Sequence, residues 1–392
     1  MTAAPPPGWP LPVAVLDADA LEHNVERMAR WCRDHGVLLA PHGKTTMAPA
    51  LFRRQLAAGA WGLTTASVAQ ARTARAAGAR RVLVANLVVD PGDIAWAGAQ
   101  VDADPEVVVL VYADSTAAVR RLEEVLRARG QQRPLPVLVE VGYTGGRTGC
   151  RDVASAVAVA RLVRDSPLLR LAGVSGYEGL IARPDPAAEE VAVREFLGTV
   201  RQAARALHAA GLFEAAGPDG VLVSAGGSSW FDLVVDVLGA EPVPGARTVL
   251  RSGCSLTHDA GTYRRSSPLD GRGTGDDALR QALHVWAHVL SRPEPGLAVA
   301  GFGKRHTGTD RGLPVAQLVL DATGAARDVE GAVTVTAVHD QHAVLRVAPE
   351  DPLAVGDLLR VGVDHPCTTF DRWRRLPVVR QGRVVEVVET EF

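Results

Sequence analysis

Lysine is almost absent from this sequence: the 42 lysine and arginine residues include only two lysines, Lys44 and Lys304. A chain so strongly biased toward arginine keeps a lysine most readily where arginine cannot replace it. Unlike a guanidinium, an ammonium can lose its proton when it is desolvated, and Schiff-base chemistry needs the free amine. We therefore interpret Lys44, in the segment PHGKTTMAP (residues 41–49), as a candidate catalytic residue, with an ordinary surface lysine as the alternative.

Other absences exclude broad classes of function. The net charge is −2 and aromatic residues make up 5%, so the sequence offers neither a basic field nor a stacking platform for nucleic acid. No apolar run reaches the roughly 18 residues of a membrane helix, and the proline-rich N-terminus lacks the basic and apolar regions of a signal peptide. The cysteines form no CxxC pair, which favours a reducing cytoplasm over a disulfide framework. They are Cys32, Cys150, Cys254 and Cys367.

What is present is an alternation of short apolar runs with Ala- and Arg-rich stretches of helical character. Continuous apolar strands separated by helices are typical of a parallel sheet that is covered on both faces. Eight such runs match a closed (β/α)8 barrel of the TIM type, which we predict for residues 18–258. An open doubly wound sheet is the rival, but APHGKTT lacks its GxGxxG fingerprint. The runs lie at 37–40, 61–65, 81–86, 107–112, 136–141, 171–176, 221–225 and 248–252.

The pattern of apolar and polar residues changes after residue 258. Residues 259–392 contain several turn-separated segments with the alternation of antiparallel strands, so we predict a C-terminal β-rich domain there. The segment LPVAVLD could pair with it, which would assign residues 1–17 to the same domain. Within LHVWAHVL, His284 and His288 are four apart, a spacing that also fits one face of an amphipathic helix, and we interpret the pair as structural.

In (β/α)8 enzymes the chemistry lies at the carboxyl ends of the strands, so the residues that follow each run are site candidates. His42 and Lys44 follow the first run, and Gly226-Gly227-Ser228 follows the seventh, just before a predicted helix. Backbone amides at a helix amino terminus bind phosphate, although a simple capped turn is an equal alternative for these residues alone. Together with a lysine after the first run, they fit a pyridoxal phosphate site. The other candidates by position are Thr64, Thr65, Asn86, Tyr143, Arg147, Tyr177, Glu178, Ser229, Arg251, Ser252, Gly253 and Cys254.

The motifs PHGKT, GYTGGRTG, GYEG, SAGGSS, LRSG and HPCTTFD, in this order, resemble those of the fold-type III pyridoxal-phosphate enzymes. Within that group the sequence is most similar to the D-serine dehydratase and D-threonine aldolase family, which shares its barrel with alanine racemase. The resemblance covers about residues 13–380. It implies a cofactor-binding barrel joined to a β domain, and a homodimer.

The resemblance also implies roles for individual residues. Lys44 would form the Schiff base with the cofactor, Arg147 would lie near its phenolic oxygen, and Tyr177 would pack a ring against it. Arg251 corresponds to the arginine that alanine racemase places beside the pyridine nitrogen, which it would keep unprotonated because a guanidinium does not readily give up a proton. His42 is a further cofactor-binding candidate. The phosphate would be held by Gly226, Gly227 and Ser228, with backbone amides from Gly253 and Cys254.

His365 and Cys367 are two residues apart after a strand-like run, so in an extended segment their side chains share a face. An imidazole and a thiolate make half of a zinc site, although a buried cysteine beside an incidental histidine is the alternative. The resemblance favours the metal, since dehydratases of the family use a His-x-Cys pair where the aldolase branch has His-x-Asp. We expect Zn²⁺, with Mn²⁺ or Mg²⁺ as alternatives. Val363-Asp364 replaces a proline-asparagine pair of the family just before the histidine.

Two further histidines lie in AVHDQHAVL. At this spacing in a strand, His339 and His342 would face opposite sides and would not bind one ion. By the resemblance, His342 matches a histidine near the active site, and we predict it on the substrate side together with Thr45. We interpret Lys304 as structural, with Asp310 ordering the same loop.

The resemblance predicts a dehydratase that eliminates water from a D-β-hydroxy amino acid, either D-serine, D-threonine or D-threo-3-hydroxyaspartate. Lys44 would be the general base, and the metal would assist the departure of hydroxide. A D-threonine-type aldolase is the first alternative. A racemase needs a second acid–base group, usually a tyrosine, and no tyrosine follows Tyr263. A non-catalytic pyridoxal-phosphate carrier is a barrel alone, so the second domain with its HxC pair argues against it.

Overall fold

The computed structural model describes residues 4–213, 217, 219–273, 275 and 277–392. Within these residues the chain divides into two compact units. The barrel unit comprises Ala29–Lys44 and Phe52–Gly253. The β unit comprises Met1–Met28, Thr45–Leu51 and Cys254–Phe392, in each case where described.

The first strand, β1 (Val13–Asp17), belongs to the β unit, and α1 (Ala18–Asp34) follows it without a loop and leads into the barrel unit. Eight parallel strands then form one sheet, in the spatial order β2-β9-β8-β7-β6-β5-β4-β3. The strands are β2 (Leu38–Leu39), β3 (Leu63–Thr65), β4 (Arg81–Leu87), β5 (Val108–Ala113), β6 (Leu135–Val141), β7 (Leu169–Gly176), β8 (Val221–Ser224) and β9 (Ala246–Leu250).

The sheet closes on itself between its first and last strands. A parallel bridge joins His42 to Thr64, and the Thr64 amide donates to the Pro41 carbonyl at 3.0 Å. The Trp61 amide donates to the Leu39 carbonyl at 2.8 Å, which continues the same seam. These contacts confirm the predicted closed barrel. Each strand lies within two residues of its predicted run, because a run buried on both faces is apolar throughout.

Helices follow the strands and cover the barrel. Several begin directly after a Ser or Asp whose side chain accepts an amide of the first turn, as Ser67, Ser115 and Asp152 do. Such caps fix where each helix starts, and so fix the length of the loop before it. The helices are α2 (Pro49–Ala57), α3 (Val68–Ala76), α4 (Pro91–Ala103), α5 (Thr116–Ala128), α6 (Val153–Asp165), α7 (Pro186–Ala209) and α8 (Phe231–Gly239).

The β unit contains the C-terminal strands and two short helices, α9 (Thr262–Ser266) and α10 (Cys367–Phe370). In its sheet, β1 lies between β10, which is antiparallel to it, and β17, which is parallel. Its core includes the fully buried Phe302 and Phe370. The strands are β10 (Leu283–Glu294), β11 (Leu297–Ala300), β12 (Val315–Leu320), β13 (Ala326–Asp328), β14 (Thr334–Val338), β15 (Ala343–Arg346), β16 (Leu358–Gly362), β17 (Arg375–Arg380) and β18 (Arg383–Glu389).

Two local interpretations are wrong. His284 and His288 do not lie on a helix, since LHVWAHVL is the start of β10, where His284 is buried and His288 is exposed. His339 and His342 do not lie in a strand either, because they flank the turn between β14 and β15. The His339 amide donates to the His342 carbonyl at 2.7 Å and closes that turn. None of the described helices combines the length and the apolarity needed to cross a bilayer.

Candidate active site

His42 and Lys44 follow the first strand of the barrel, β2, which ends at Leu39. Lys44 lies in a single 3-10 turn (Gly43–Thr45) and its side chain is exposed. His42 is half-buried, and among the described residues its buried Nδ1 has no hydrogen-bond partner. Burial, followed by the positive charges of Lys44, Arg251 and Arg147, holds the pKa of His42 well below its usual value. The ring is therefore neutral at pH 7. The three positive charges all act on this histidine at the barrel mouth.

Arg251 follows β9 and is 5% exposed. Its Nη1 donates to Ser224 Oγ at 2.6 Å and to Ser175 Oγ at 3.2 Å, and its Nη2 donates to the Gly176 carbonyl at 2.6 Å. Tyr112 Oη lies 2.6 Å from the same Ser175 hydroxyl. Hydroxyls and a carbonyl from neighbouring strands thus fix the guanidinium. These supporting residues point into the barrel interior and were not predicted.

Arg147, Tyr177 and Gly227 form one cluster on the rim. The Arg147 guanidinium carbon lies 5.6 Å from the centre of the Tyr177 ring, within the range of a cation–π contact. The Tyr177 ring packs closely on Gly227, where an added Cβ would come within 3.3 Å of Tyr177 Cε2. Residues predicted from three separate motifs are therefore brought together.

The loop after β8 depends on glycine. Gly226 has φ +91°, and an added Cβ would come within 2.8 Å of Leu250 Cδ2. The Gly226 and Gly227 amides donate to the fully buried carboxylate of Glu178, at 3.1 and 2.7 Å. Ser228 Oγ lies 3.0 Å from Ser252 Oγ. Glu178 was predicted as a candidate because it follows a strand, but the hydrogen bonds that it accepts from the two glycine amides were not predicted.

A candidate metal centre lies in the β unit. Cys254, His365 and Cys367 offer three ligand atoms that all lie within 4.8 Å of one another. The two sulfurs are 3.6 Å apart although the residues are separated by 113 positions in the sequence. His365 and Cys367 are the predicted pair. Cys254 was predicted only as a backbone donor to a cofactor, and no local pattern in the sequence indicates that its thiol would join them.

Asp310 orients His365. Its Oδ2 lies 2.8 Å from His365 Nδ1, and its other oxygen accepts from the Thr368 hydroxyl. Because Nδ1 faces the carboxylate, Nε2 is the nitrogen left for an ion, an arrangement common among zinc-binding histidines. Thr45, the residue after Lys44 in the chain, places Oγ1 3.3 Å from Cys367 Sγ.

The charges of these groups are coupled. The hydrogen bond from Cys254 lowers the pKa of the Cys367 thiol well below its usual value, against the effect of burial. The same bond, with burial, raises the pKa of Cys254. Burial alone would lower the pKa of His365, but Cys367 and Asp310 outweigh it and raise that pKa to about 9.

His342 is not part of this group. It is exposed in the turn between β14 and β15. Across the described residues, no hydrogen bond or ion pair links its side chain to Cys254, His365 or Cys367. Its predicted position on the substrate side therefore stays a prediction.

Comparison with known proteins gives matches to both parts of the chain. The model of the family described as "Alanine racemase, N-terminal domain" matches residues 16–234, and that of the "Putative serine dehydratase domain" matches residues 282–379. A D-threonine aldolase from Arthrobacter sp is 30% identical over 399 residues, which cover 99% of this chain and 96% of the relative. The chain belongs to the D-serine dehydratase and D-threonine aldolase family.

Members of both activities resemble the chain to the same degree. A D-threo-3-hydroxyaspartate dehydratase from Delftia sp. (strain HT23) is also 30% identical, over 91% of each chain. Among solved structures, a cysteine variant of D-threo-3-hydroxyaspartate dehydratase in the metal-free form has a TM-score of 0.77 at 25% identity, over 98% of both chains. This fold-type III pyridoxal-phosphate family joins an alanine racemase-like barrel to a C-terminal β domain, and both parts are present here.

Proposed function

We propose that this protein is a pyridoxal-phosphate- and metal-dependent dehydratase of D-amino acids. It eliminates water from a D-β-hydroxy amino acid and releases a 2-oxo acid and ammonia, as an ammonia-lyase. D-serine, D-threonine and D-threo-3-hydroxyaspartate are the candidate substrates. The observation that carries this choice is the sulfur-rich donor set of Cys254, His365 and Cys367, where the aldolase branch has an aspartate in place of the second residue of the HxC pair.

The barrel unit fits pyridoxal phosphate in charge. The positive charges of Lys44, Arg251 and Arg147 act on His42, whose buried Nδ1 has no hydrogen-bond partner among the described residues, and this suits an anionic ligand. Bound there, the cofactor supplies an electron sink for a carbanion at Cα. We assign its binding to Lys44, His42, Arg147, Tyr177, Gly226, Gly227, Ser228, Arg251, Gly253 and Cys254.

The residues assigned to the cofactor in the barrel unit have different tasks in this proposal. Lys44 holds the cofactor, and its amine then takes the Cα proton of a D-amino acid as general base. By the family resemblance, Arg251 would lie at the pyridine nitrogen and would donate there without giving up its proton, since a guanidinium stays charged. Because the amides of Gly226 and Gly227 bind Glu178, the Ser228 hydroxyl and the amino terminus of α8 carry the larger share of phosphate binding.

The donor atoms of the β unit fit a zinc-class ion. A histidine oriented by a carboxylate and a neighbouring thiolate are borderline-soft ligands. Zinc binds such ligands in preference to the oxygen ligands that magnesium and manganese favour. A zinc ion held by His365 and Cys367 supplies Lewis-acid assistance to the departing β-hydroxyl.

A D-threonine-type aldolase is the second candidate. The observation that favours it is the 30% identity to the D-threonine aldolase from Arthrobacter sp over nearly the whole chain. The same residues serve a retro-aldol reaction, in which the Cα–Cβ bond breaks in place of the Cβ–oxygen bond. Glycine and an aldehyde are then the products.

Two assays on the purified protein, loaded with pyridoxal phosphate and zinc, test the proposal. In the first, D-serine should release pyruvate and ammonia, and Lys44→Ala should lower this rate by more than about 10²-fold because it removes the general base. Lys304→Ala, which changes the other lysine, is the matched control and should leave the rate unchanged. In the second, borohydride should bleach the cofactor absorbance and fix the cofactor to the parent but not to Lys44→Ala. A Lys44→Ala variant as active as the parent contradicts the proposal.

We also infer a homodimer in a reducing compartment such as the cytoplasm. The dimer follows from the family resemblance, and the compartment is supported by the sequence, whose cysteines form no CxxC pair. Sedimentation of the holoenzyme at micromolar concentration tests the first inference, and a monomer would contradict it.

A further inference from the structure

We propose that Cys254 is a third protein ligand of the metal, so that the centre is a two-sulfur, one-nitrogen site with a single open position. This inference rests on the proposed function, which needs a metal at His365 and Cys367. It adds a residue that lies outside the HxC motif and that the family resemblance does not supply as a metal ligand. It also predicts which class of ion the site accepts.

The distance between the sulfurs is the first observation. With Zn–S distances of about 2.3 Å, two sulfurs of a tetrahedral site lie about 3.8 Å apart. Cys254 Sγ and Cys367 Sγ are 3.6 Å apart, so both reach one ion without a large movement. The third atom, from His365, lies within 4.8 Å of both sulfurs. The three atoms are thus close enough to share one ion.

The surroundings of the trio are the second observation. Asp310 fixes the His365 ring through Nδ1, and Thr368 in turn fixes Asp310, so the imidazole is already oriented. The Thr45 hydroxyl lies 3.3 Å from Cys367 Sγ and 3.8 Å from Cys254 Sγ. A hydroxyl at these distances from two sulfurs helps to hold them at their present separation. Carboxylate-to-histidine contacts of this kind raise the affinity of a metal site.

The donor set decides what the site binds and what it leaves open. Two thiolates with one imidazole select zinc-class ions over magnesium and manganese, which prefer oxygen ligands. Three protein ligands leave the fourth tetrahedral position to water or to a substrate oxygen, which is the pattern of a catalytic zinc site and not of a closed structural one. Cys254 therefore fixes the identity of the ion while the open position keeps it able to act.

X-ray absorption at the zinc edge of the zinc-loaded holoenzyme tests the inference on the unmodified chain. We expect two sulfur neighbours per zinc at about 2.3 Å, with lighter atoms completing the shell. One sulfur per zinc overturns the role of Cys254 but leaves the metal at His365 and Cys367 intact. Failure of the holoenzyme to retain zinc overturns both this inference and the metal part of the proposed function.

Zinc affinity gives a second, independent readout. Competition with a chromophoric chelator, under reducing conditions, should show that Cys254→Ser binds zinc at least about tenfold more weakly, since even outer-shell partners contribute that much. Cys150→Ser, a buried cysteine of the barrel unit, is the matched control. Circular dichroism and the cofactor absorbance of each variant report whether the fold is retained. Equal affinity in Cys254→Ser and the parent contradicts the inference.

Discussion

The roles of some residues in the candidate sites could be predicted from the sequence, and the roles of others could not. Lys44 could be identified because a rare residue type in a recognisable motif is a local signal. The role of Glu178 could not, because binding two amides of a loop nearly fifty residues later requires the folded barrel. Cys254 is a similar case, since its partner lies 113 residues away. Contacts between distant segments are set by the fold, and local patterns do not encode them.

Glu178 gives a prediction about the phosphate loop. Glu178→Gln keeps the shape of the side chain but places its carboxamide NH2 group against one of the two glycine amides. Two hydrogen-bond donors then face each other without an acceptor. We expect the free energy of unfolding to fall by about 1–3 kcal/mol, the range for a buried donor left without an acceptor. Urea unfolding measures this. Glu195→Gln, on the exposed surface of α7, is the control, and an equal effect of both variants would contradict the role of Glu178.

Asp310 gives a prediction about the metal centre. Asp310→Ala removes the group that orients His365, so zinc should bind about 10- to 100-fold more weakly. Asp310→Asn should lie in between, because its amide oxygen can still accept from Nδ1. The measurement is chelator competition, with Asp340→Asn, an exposed residue near Arg305, as the control. If Asp310→Ala binds zinc as tightly as the parent, the contact has no part in metal binding.

At the scale of elements, burial decided how well the sequence could be interpreted. The run at 171–176 corresponds to β7 (Leu169–Gly176), because strands buried on both faces are continuously apolar. The histidines of LHVWAHVL were harder, since a four-residue spacing fits a helix face and also fits alternate positions on one face of a strand. Pairing of β10 with β1 and β16 settles the choice for the strand. Such pairing comes from distant segments and is not visible in the local pattern.

His284 on β10 gives a prediction about acid stability. Burial, followed by the charge of Arg360, lowers its pKa to about 3. Since an unfolded histidine binds a proton near pH 6.5, only the unfolded state gains this proton as the pH falls below that value, and the free energy of unfolding decreases. Between pH 7 and pH 5 this residue should account for a loss of about 2 kcal/mol.

The test compares urea unfolding of the parent and of His284→Gln at the two pH values. The variant should lose about 2 kcal/mol less than the parent on acidification, whatever its stability at pH 7. His288→Gln, exposed on the same strand, is the matched control. An identical acid loss in the parent and in His284→Gln would show that this histidine is not responsible.

For the whole molecule, the family could be inferred from the sequence because its motifs are spread over both parts of the chain. The two family models that match, one over the barrel and one over the β domain, agree with that inference. The choice between dehydration and retro-aldol cleavage could not be made in the same way, because relatives of both activities are 30% identical to the chain. That choice depends on a few donor atoms around one ion, and these come from segments far apart in the sequence.

D-threonine distinguishes dehydration from retro-aldol cleavage in a single assay, because either its Cβ–oxygen bond or its Cα–Cβ bond can break. With the holoenzyme loaded with zinc, we predict that 2-oxobutanoate and ammonia form in equal amounts, and that a chelator stops their release until zinc is restored. Glycine and acetaldehyde as the main products would contradict dehydration as the function of this protein and would identify the aldolase in its place.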